Sequence, residues 1–364
     1  MKLINKYLRN LLPYKVASHK IWEVTSEQRR NILKLDWNEA TIPPTPLVKE
    51  SFKRILDQDD FSFLYPSTYN STLLDLLAKY CSIDESCIQY FASSDVLHEY
   101  LVRMYVSIGD PILILGPTYD NFRLTCEAQG GVVHIFEYDD NFNLDKEKFV
   151  SAIRNINPSL VYICNPNNPT GNIVEEEFII SLLQDLSDTV FILDEAYFEF
   201  YGKTMKDKVM KFENLFITRT FSKAFALANF RAGYLISNPE NIKQVSKIRN
   251  AKNISTFTQT AMIAALSDVQ YMHNYVDEVH LAKKEFSDGL KLLPVVETVF
   301  NSEGNFVLVK FKSVEDKKSA NKCLIENDIF VRNLEHSNKL INCLRITIGT
   351  RLQMQRVLNV LKQA

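Results

Sequence analysis

Three short polar segments carry the residue types of a catalytic site, and each follows a run of apolar residues. They are CNPNNPTGN at 164–172, DEAYFEF at 194–200 and TRTFSKAFALANFRAGY at 218–234. Asp194 follows Asn168 by 26 residues, and Lys223 follows Asp194 by 29 residues. In an open parallel sheet, ligands bind outside the carboxyl ends of the strands, so segments at three strand ends can converge on one ligand. A single site is the economical interpretation.

The residue types indicate which ligand that site would take. Lys223 is flanked by Ser222, Ala224 and Phe225, so it can be partly desolvated and its pKa lowered, which is what a Schiff-base lysine requires. Asp194, at a buried strand end, can hold a pyridinium nitrogen protonated. Pyridoxal phosphate (PLP) bound in this way acts as an electron sink for a carbanion. The sequence therefore points to PLP chemistry.

The remaining polar side chains suit the other groups of the same cofactor. Asn168 and Tyr197 could hydrogen-bond the ring hydroxyl. Ser222 and Arg231 supply a hydroxyl and a guanidinium for a phosphate dianion, and backbone N–H groups at a helix start would contribute the rest.

Each segment taken alone also has a simpler interpretation. Asn-Pro and Thr-Gly pairs form turns, so NPNNPTG could be only a loop. Asp194 and Glu195 could end a strand and cap a helix, and most lysines are solvated charges. Three such segments, in this order and with this spacing, favour one common site.

The elements that must position these residues form an alternating pattern from about residue 84. Short β-rich apolar runs alternate with segments of helical spacing, such as 175–187. The runs lie at 111–116, 132–138, 160–164, 190–194 and 214–219. Alternation of this kind predicts βαβ units, and apolar residues at consecutive positions predict strands covered by helices on both faces. The fold class is therefore α/β with a mostly parallel sheet.

The pattern changes after residue 250. We predict a long helix over 258–293, a shorter one over 319–328, and a final helix beginning near Arg351. Strands are predicted at 306–311, 329–333 and 344–349. This α+β layout predicts a smaller C-terminal domain at 251–364 beside a large cofactor-binding domain at 36–250, with an N-terminal arm at 1–35 packed on the small domain.

Composition excludes several other classes of protein. The 364 residues are 46% hydrophobic and 24% charged, with a net charge of −2 and no basic block, so nucleic acid is a poor candidate partner. The six cysteines form no CxxC pair or Cys/His cluster, which predicts reduced thiols and no metal site. The six histidines form no HxxxH or HExxH pattern, so each is interpreted as a surface or core residue. Without a signal peptide or an apolar stretch long enough to span a membrane, we expect a cytoplasmic protein.

The three segments together resemble the signature of fold-type I PLP enzymes. The run NPNNPTG, DEAY, SKAFALANFRAGY is most similar to class I/II aminotransferases, and among these to histidinol-phosphate aminotransferases. The likeness continues through PY at 13–14, LDWNEA at 35–40, YP at 65–66, PTY at 117–119 and CLRITIGT at 343–350. The resemblance implies a seven-stranded sheet in the large domain and PLP as the cofactor.

It also implies roles for individual residues. Lys223 would attach the cofactor and move the proton, Asp194 would pair with the pyridine nitrogen, and Asn168 and Tyr197 would meet the ring oxygen. Tyr119 is similar to the aromatic residue that stacks on the ring. The residues that would hold the phosphate are Ser94, Asp95, Thr220, Ser222 and Arg231.

The substrate site is implied in the same way. Arg345 and Arg332 would bind the anionic end of the substrate, with Asn38 and Tyr14 nearby. Tyr65 matches a tyrosine that reaches the cofactor and substrate of the neighbouring subunit, which implies a homodimer with a shared active site. Glutamate is the implied amino donor, and the acceptor is imidazole-acetol phosphate or a smaller phosphorylated ketone.

The sequence departs from the family pattern in three places. They are Ser93-Ser94-Asp95-Val96 before the phosphate-binding helix, Ala228-Asn229-Phe230-Arg231 after the lysine, and EHSNKLIN at 335–342, where His336 could touch the substrate. Two alternatives therefore stay open. One is a PLP-dependent decarboxylase of a phosphorylated amino acid such as threonine or serine phosphate, and the other is a non-catalytic relative that acts as an interaction protein.

Overall fold

The protein is described by a computed structural model that covers residues 4–9, 11–13, 20–334 and 338–363. The strands are β1 Leu33–Leu35, β2 Ile88–Phe91, β3 Pro111–Gly116, β4 Val132–Glu137, β5 Leu160–Cys164, β6 Val190–Asp194, β7 Leu215–Thr220, β8 Gly233–Ile236, β9 Val296–Val299, β10 Phe306–Phe311, β11 Ile329–Asn333 and β12 Cys343–Thr347. The α-helices are α1 Ser26–Arg29, α2 Pro46–Leu56, α3 Ser71–Cys81, α4 Ser94–Tyr105, α5 Asn121–Gln129, α6 Lys146–Ile156, α7 Glu176–Asp185, α8 Phe198–Tyr201, α9 Pro239–Ile248, α10 Thr256–Leu266, α11 Val269–Lys291, α12 Val314–Glu326 and α13 Arg351–Leu361.

The larger sheet has seven strands in the order β2-β8-β7-β6-β5-β3-β4. Neighbouring strands from β7 to β4 pair in parallel, and β8 runs antiparallel to both β7 and β2. The side chains of β5 are buried at every position, as expected for a strand with helices on both faces. The α/β fold class and the mostly parallel sheet are confirmed.

This topology brings one end of each of the seven strands to a common edge. Because β2 and β7 are both antiparallel to β8, they run in the same direction as each other and as the rest of the sheet. The segments that follow β2, β3, β5, β6 and β7 therefore emerge at a common edge, and β8 begins there. The predicted site residues of the large sheet lie on those segments.

The smaller sheet has the order β1-β11-β12-β10-β9, with β1 parallel to β11 and the other neighbours antiparallel. Helices α11 and α12 pack on it, and α13 packs against both of these helices. Near the N-terminus, the ring of Tyr7 lies beside Gly130 at the end of α5, while β1 joins the small sheet. The domain bounds given above stay a prediction.

Two helix predictions need correction. The predicted helix over 258–293 is broken into α10 and α11, because Ser267 ends α10 and Asp268 leaves the helical conformation, where its carboxylate accepts a hydrogen bond from Thr45 at 2.5 Å. Helix α12 begins at Val314, earlier than predicted, because the Ser313 hydroxyl caps it by accepting from the Asp316 N–H. Over the part of the chain that the structure describes, no helix combines the length and apolar character that crossing a bilayer requires.

Candidate active site

The Asp194 carboxylate lies at the end of β6 and is only 4% exposed. Its Oδ2 accepts a hydrogen bond from the Tyr162 hydroxyl at 2.7 Å, and its Oδ1 accepts one from the Ala196 N–H at 3.1 Å. The Nε2 atom of His98 is 3.9 Å from Oδ2. Each carboxylate oxygen has two acceptor positions, so this arrangement fixes the group and leaves it able to accept one further N–H.

The Lys223 side chain follows β7 and is partly buried beside the same edge. Its amine donates a hydrogen bond to the carbonyl oxygen of Trp37 at 2.8 Å. Burial, and then the positive charge of Arg345, lower the pKa of Lys223 to about 8. An amine with that pKa is partly uncharged near neutral pH, which suits attack on an aldehyde.

Three consecutive residues, 36–38, each form a hydrogen bond with a different side chain of the site. The carbonyl of Asp36 accepts from Arg345 at 2.5 Å, the carbonyl of Trp37 accepts from Lys223, and the side-chain amide of Asn38 donates to the Tyr197 hydroxyl at 3.0 Å. Asn38 holds this geometry at a left-handed φ of 56°.

Asn38 is fixed from the small sheet. Its N–H donates to Thr347 Oγ1 at 3.1 Å, and the same hydroxyl lies 3.0 Å from Asn38 Oδ1. The carbonyl of Asn38 accepts from the Asn305 side chain at 3.1 Å. The predicted substrate residue Asn38 is thus a buried link between the two sheets, and burial raises the pKa of the Tyr197 phenol beside it.

A concentration of anion-binding groups lies at the start of α4. Arg231 donates to Asp95 Oδ2 at 2.9 Å, and Tyr119 donates to Asp95 Oδ1 at 3.0 Å, so Asp95 holds both side chains. The side chain of Arg231 remains 51% exposed. Ser94 is the first residue of α4, whose N-terminal N–H groups attract anions.

Two hydroxyls and a glycine complete this end of the site. Thr220 Oγ1 donates to Ser222 Oγ at 2.9 Å and accepts from the Ser222 N–H at 3.1 Å. Gly233 lets β8 approach the helix start, because a Cβ there would lie 2.6 Å from the Ser94 nitrogen. The structure therefore gathers all five predicted phosphate residues at one sheet edge.

Arg345 and Arg332 lie on the small sheet at directly opposed positions of β12 and β11. Residues opposed in this way have side chains on the same face, with Cβ atoms about 5 Å apart. Arg345 is 6% exposed and donates to the Asn168 side-chain oxygen at 2.5 Å, which ties the small sheet to the predicted cofactor loop.

One described residue of the prediction, Tyr65, is not brought into this cluster. Tyr65 is 78% exposed, and the amine of Lys252 lies 4.6 Å from the centre of its ring. Tyr14 and His336 lie outside the described residues. Their roles stay predictions.

The structure also shows site neighbours that the sequence interpretation missed. His98 was interpreted as an ordinary core or surface residue, and Tyr162 was not singled out, yet both approach Asp194. A signal existed for each: His98 is one helical turn after Ser94, and Tyr162 is two residues before Cys164, which pairs with Asp194. The second signal needs the strand register, which the sequence alone does not give.

The donor set fits PLP. A buried carboxylate with acceptor capacity suits a pyridinium nitrogen, an amine of lowered pKa suits the aldehyde, and Tyr197 and Asn168 suit the ring oxygen. The hydroxyls, the arginine and the N-terminus of α4 suit a phosphate dianion.

Comparison with known proteins gives a consistent result. The sequence profile described as aminotransferase class I and II matches residues 30–361. The chain is 45% identical to a dihydroxyacetone phosphate transaminase of Campylobacter jejuni, over 97% of this chain and 95% of that protein. It is 33% identical to a histidinol-phosphate aminotransferase of Ruminiclostridium cellulolyticum, over 99% of this chain and 97% of that protein. The crystal structure of histidinol-phosphate aminotransferase from Sinorhizobium meliloti, in complex with pyridoxal-5'-phosphate, superposes with a TM-score of 0.88 at 25% identity, covering 100% of this chain and 97% of that one.

Proposed function

The chain belongs to the class I and II aminotransferase family, and we propose that it moves an amino group from glutamate to a small phosphorylated ketone, with dihydroxyacetone phosphate as the first candidate acceptor. It is a PLP-dependent aminotransferase of the fold-type I class. The acceptor is proposed from the 45% identical relative, whose name specifies that compound.

The observation that carries the proposal is the opposed pair Arg332 and Arg345. Two guanidinium groups on one face of the small sheet form a site of high positive charge, and guanidinium geometry accepts either a carboxylate or a phosphate. Arg345 also donates to Asn168, so an anion bound there lies close to the loop that follows β5. One such pocket can serve the carboxylate of the donor in one half-reaction and the phosphate of the acceptor in the other.

We assign the other residues to the reaction as follows. Bound PLP supplies a conjugated ring that stabilises negative charge on the substrate carbon. Lys223 would hold the cofactor and would hold and deliver the proton at its Nζ atom. The Asp194 carboxylate would accept the ring N–H, and the Tyr197 hydroxyl would orient the ring. The residues that would hold the phosphate are Ser94, Asp95, Thr220, Ser222 and Arg231, and Tyr119 would lie against the ring.

The proposal is tested by comparing acceptors on one enzyme preparation. Purified holoenzyme with glutamate is given dihydroxyacetone phosphate, dihydroxyacetone or imidazole-acetol phosphate, and 2-oxoglutarate formation is followed. We expect kcat/KM for dihydroxyacetone phosphate to exceed that for dihydroxyacetone by about 100-fold, because the phosphate makes charge-assisted hydrogen bonds that a hydroxyl does not. Equal kcat/KM values for dihydroxyacetone phosphate and dihydroxyacetone would contradict a phosphate-binding site.

Matched arginine variants locate that preference. Arg332→Gln and Arg345→Gln should each reduce the preference for the phosphorylated ketone, whereas Arg351→Gln, a surface arginine paired with Glu278, should not. Loss of the preference in all three variants would show that the effect is not specific to the opposed pair.

A second acceptor, imidazole-acetol phosphate, is favoured by the 33% identical relative and the superposed structure, both named as histidinol-phosphate aminotransferases. A higher kcat/KM for imidazole-acetol phosphate in the same assay would establish it in place of the smaller ketone. Carbon dioxide released from a phosphorylated amino acid, without oxoacid formation, would instead favour the decarboxylase alternative.

We also propose a homodimer in which Tyr65 completes the neighbouring subunit's site. Support comes from a run of exposed apolar side chains on the same segment, Phe63, Leu64, Tyr65 and Tyr69, which is the composition of a subunit interface. Tyr65→Phe should weaken PLP retention, and mixing it with Lys223→Ala should restore part of the activity through hybrid dimers. Absence of that recovery, with subunit exchange verified, would contradict the shared site.

A further inference from the structure

Three buried side chains next to Asp194 have no role in the reaction as proposed so far. Tyr162 Oη donates to Asp194 Oδ2 at 2.7 Å, and His98 Nε2 lies 3.9 Å from the same oxygen and 3.0 Å from Thr218 Oγ1. Tyr162, His98 and Thr218 are all almost completely buried. Polar groups withdrawn from water to this extent are costly unless they are bound, so their convergence on one carboxylate has to be explained.

The strands and helices fix these side chains from separate directions. In the parallel pairs of the sheet, Cys164 is opposite Asp194 and Asp194 is opposite Thr218, so Tyr162 projects on the same face of β5, one pair further back. His98 comes from α4, the helix whose first turn forms the anion site.

Aromatic packing holds the two donors in place. The ring of Tyr162 stacks on Phe122 with centroids 4.0 Å apart and an interplanar angle of 13°. The ring of His98 meets Phe122 and Tyr162 edge-on, at 5.3 Å and 5.7 Å. Neither donor can turn away from Asp194 without breaking this packing.

The geometry also selects the tautomer of His98. With a carboxylate oxygen 3.9 Å away, a lone pair on Nε2 would be repelled, whereas an N–H there is attracted both to Asp194 and to the Thr218 hydroxyl. The favoured form therefore carries its hydrogen on Nε2 and directs it between the two oxygens.

We propose that Tyr162 and His98 are positioning residues for the transamination, which hold the Asp194 carboxylate in a fixed orientation toward the ring nitrogen of PLP. This rests on the proposed function, in which Asp194 meets that nitrogen. A carboxylate held in that orientation keeps an oxygen lone pair directed at the ring N–H, which maintains the hydrogen bond that would keep the proton on the ring. A ring that keeps its proton withdraws electrons more strongly.

The test uses holoenzyme of the wild type and of conservative variants. Tyr162→Phe keeps the ring stacked on Phe122 and removes only the hydroxyl. His98→Leu removes the N–H, and His98→Gln restores a donor of similar reach. Tyr100→Phe is the matched control, because its hydroxyl is also a buried hydrogen-bonding group on α4 but binds the Asn250 N–H at 3.0 Å.

Four quantities are measured on each: the rate of PLP release on dialysis, the pH midpoint of the visible band of bound PLP, kcat with the donor KM, and the thermal unfolding midpoint. For Tyr162→Phe we expect the rate of PLP release to rise about tenfold and kcat to fall about tenfold, with little change in the donor KM. A tenfold effect is the size expected for the loss of one charge-assisted hydrogen bond. The pH midpoint should rise, because a less positive ring favours protonation of the linked nitrogen. His98→Leu should change the same quantities in the same direction, and His98→Gln should recover part of the loss.

The positioning role is overturned if Tyr162→Phe and His98→Leu lower the unfolding midpoint only as Tyr100→Phe does, with PLP release, pH midpoint and kcat unchanged. A wild-type protein that holds no PLP would instead contradict the proposed function itself, so the two failures are distinguishable. If His98→Leu does not fold, Tyr162→Phe decides alone, because it changes neither volume nor packing appreciably.

Discussion

The pKa of Lys223 in the cofactor-free protein is a quantity that can be measured without any substrate. Burial and the charge of Arg345 bring the pKa to about 8, against an ordinary value of 10.5. At pH 7.5 about a quarter of the amine is then uncharged, compared with about 0.1% for an ordinary lysine, a difference of about 200-fold. Because only the uncharged amine attacks an aldehyde, the rate of PLP uptake should carry that factor.

The assay follows PLP uptake by its visible absorption, in stopped flow, between about pH 6 and about pH 11. The rate should rise with pH and level off with a midpoint near 8, because deprotonation of Lys223 is complete above its pKa. A midpoint near 10.5 would refute the argument that burial has lowered the pKa.

Charge variants test the sign of each contribution. Arg345→Gln removes a positive charge that disfavours the protonated amine, so the midpoint should rise. Glu39→Gln removes a negative charge that favours it, so the midpoint should fall. Arg332→Gln is the control, because it removes the same charge from the opposed position and is not among the main influences on Lys223. Equal shifts in the two arginine variants would contradict the specific role of Arg345.

Two further predictions concern supports of the site, and a third concerns Glu199, a carboxyl on α8 that accepts a hydrogen bond from the Tyr80 hydroxyl at 3.3 Å. Asn38→Ala should lower the free energy of unfolding by about 2–4 kcal/mol, because buried hydrogen bonds are lost while the left-handed backbone remains, and urea denaturation measures it. Gly233→Ala should weaken PLP binding about tenfold or more in an equilibrium titration, because the added Cβ displaces the Ser94 nitrogen. Burial raises the pKa of Glu199 from its ordinary 4.5 to about 7. The folded protein therefore holds this proton more tightly than the unfolded chain, and between pH 4.5 and about 7 the wild type should lose stability with rising pH relative to Glu199→Gln. A difference in unfolding midpoint that stays constant over this range would contradict the prediction.

The strands covered by helices on both faces could be predicted because such strands have apolar residues at consecutive positions. The segments 111–116, 160–164 and 190–194 are strands with those bounds. By contrast, β1 and β8 are three and four residues long, so a local pattern barely exists for them. In addition, β1 pairs with β11 and one edge of β8 pairs with β2, and both of these partners lie far away in the chain. The break between α10 and α11 depends on a contact with Thr45, which no local pattern reveals.

In the candidate site, too, some residues could be selected from the sequence, whereas their contacts could not. Lys223, Asp194 and Asn168 could be selected from residue type and spacing, because strand ends in a parallel sheet meet at one edge. The contact of Lys223 with Trp37 joins residues 186 positions apart and depends on how the two sheets sit together. Likewise, the approach of Tyr162 and His98 to Asp194 depends on strand register and helix packing, which composition does not encode.

The segment 36–38 has a mechanical consequence. It follows directly after β1 of the small sheet, and Arg345 lies within β12 of the same sheet. The carbonyls of Asp36 and Trp37 and the guanidinium of Arg345 would therefore move together if the small sheet rotated against the large one. Lys223, anchored after β7 of the large sheet, does not travel with them. A rotation of the small sheet against the large one would therefore stretch or restore the hydrogen bond between the Lys223 amine and the Trp37 carbonyl, so the freedom of the amine proposed to move the proton depends on how the two sheets are placed.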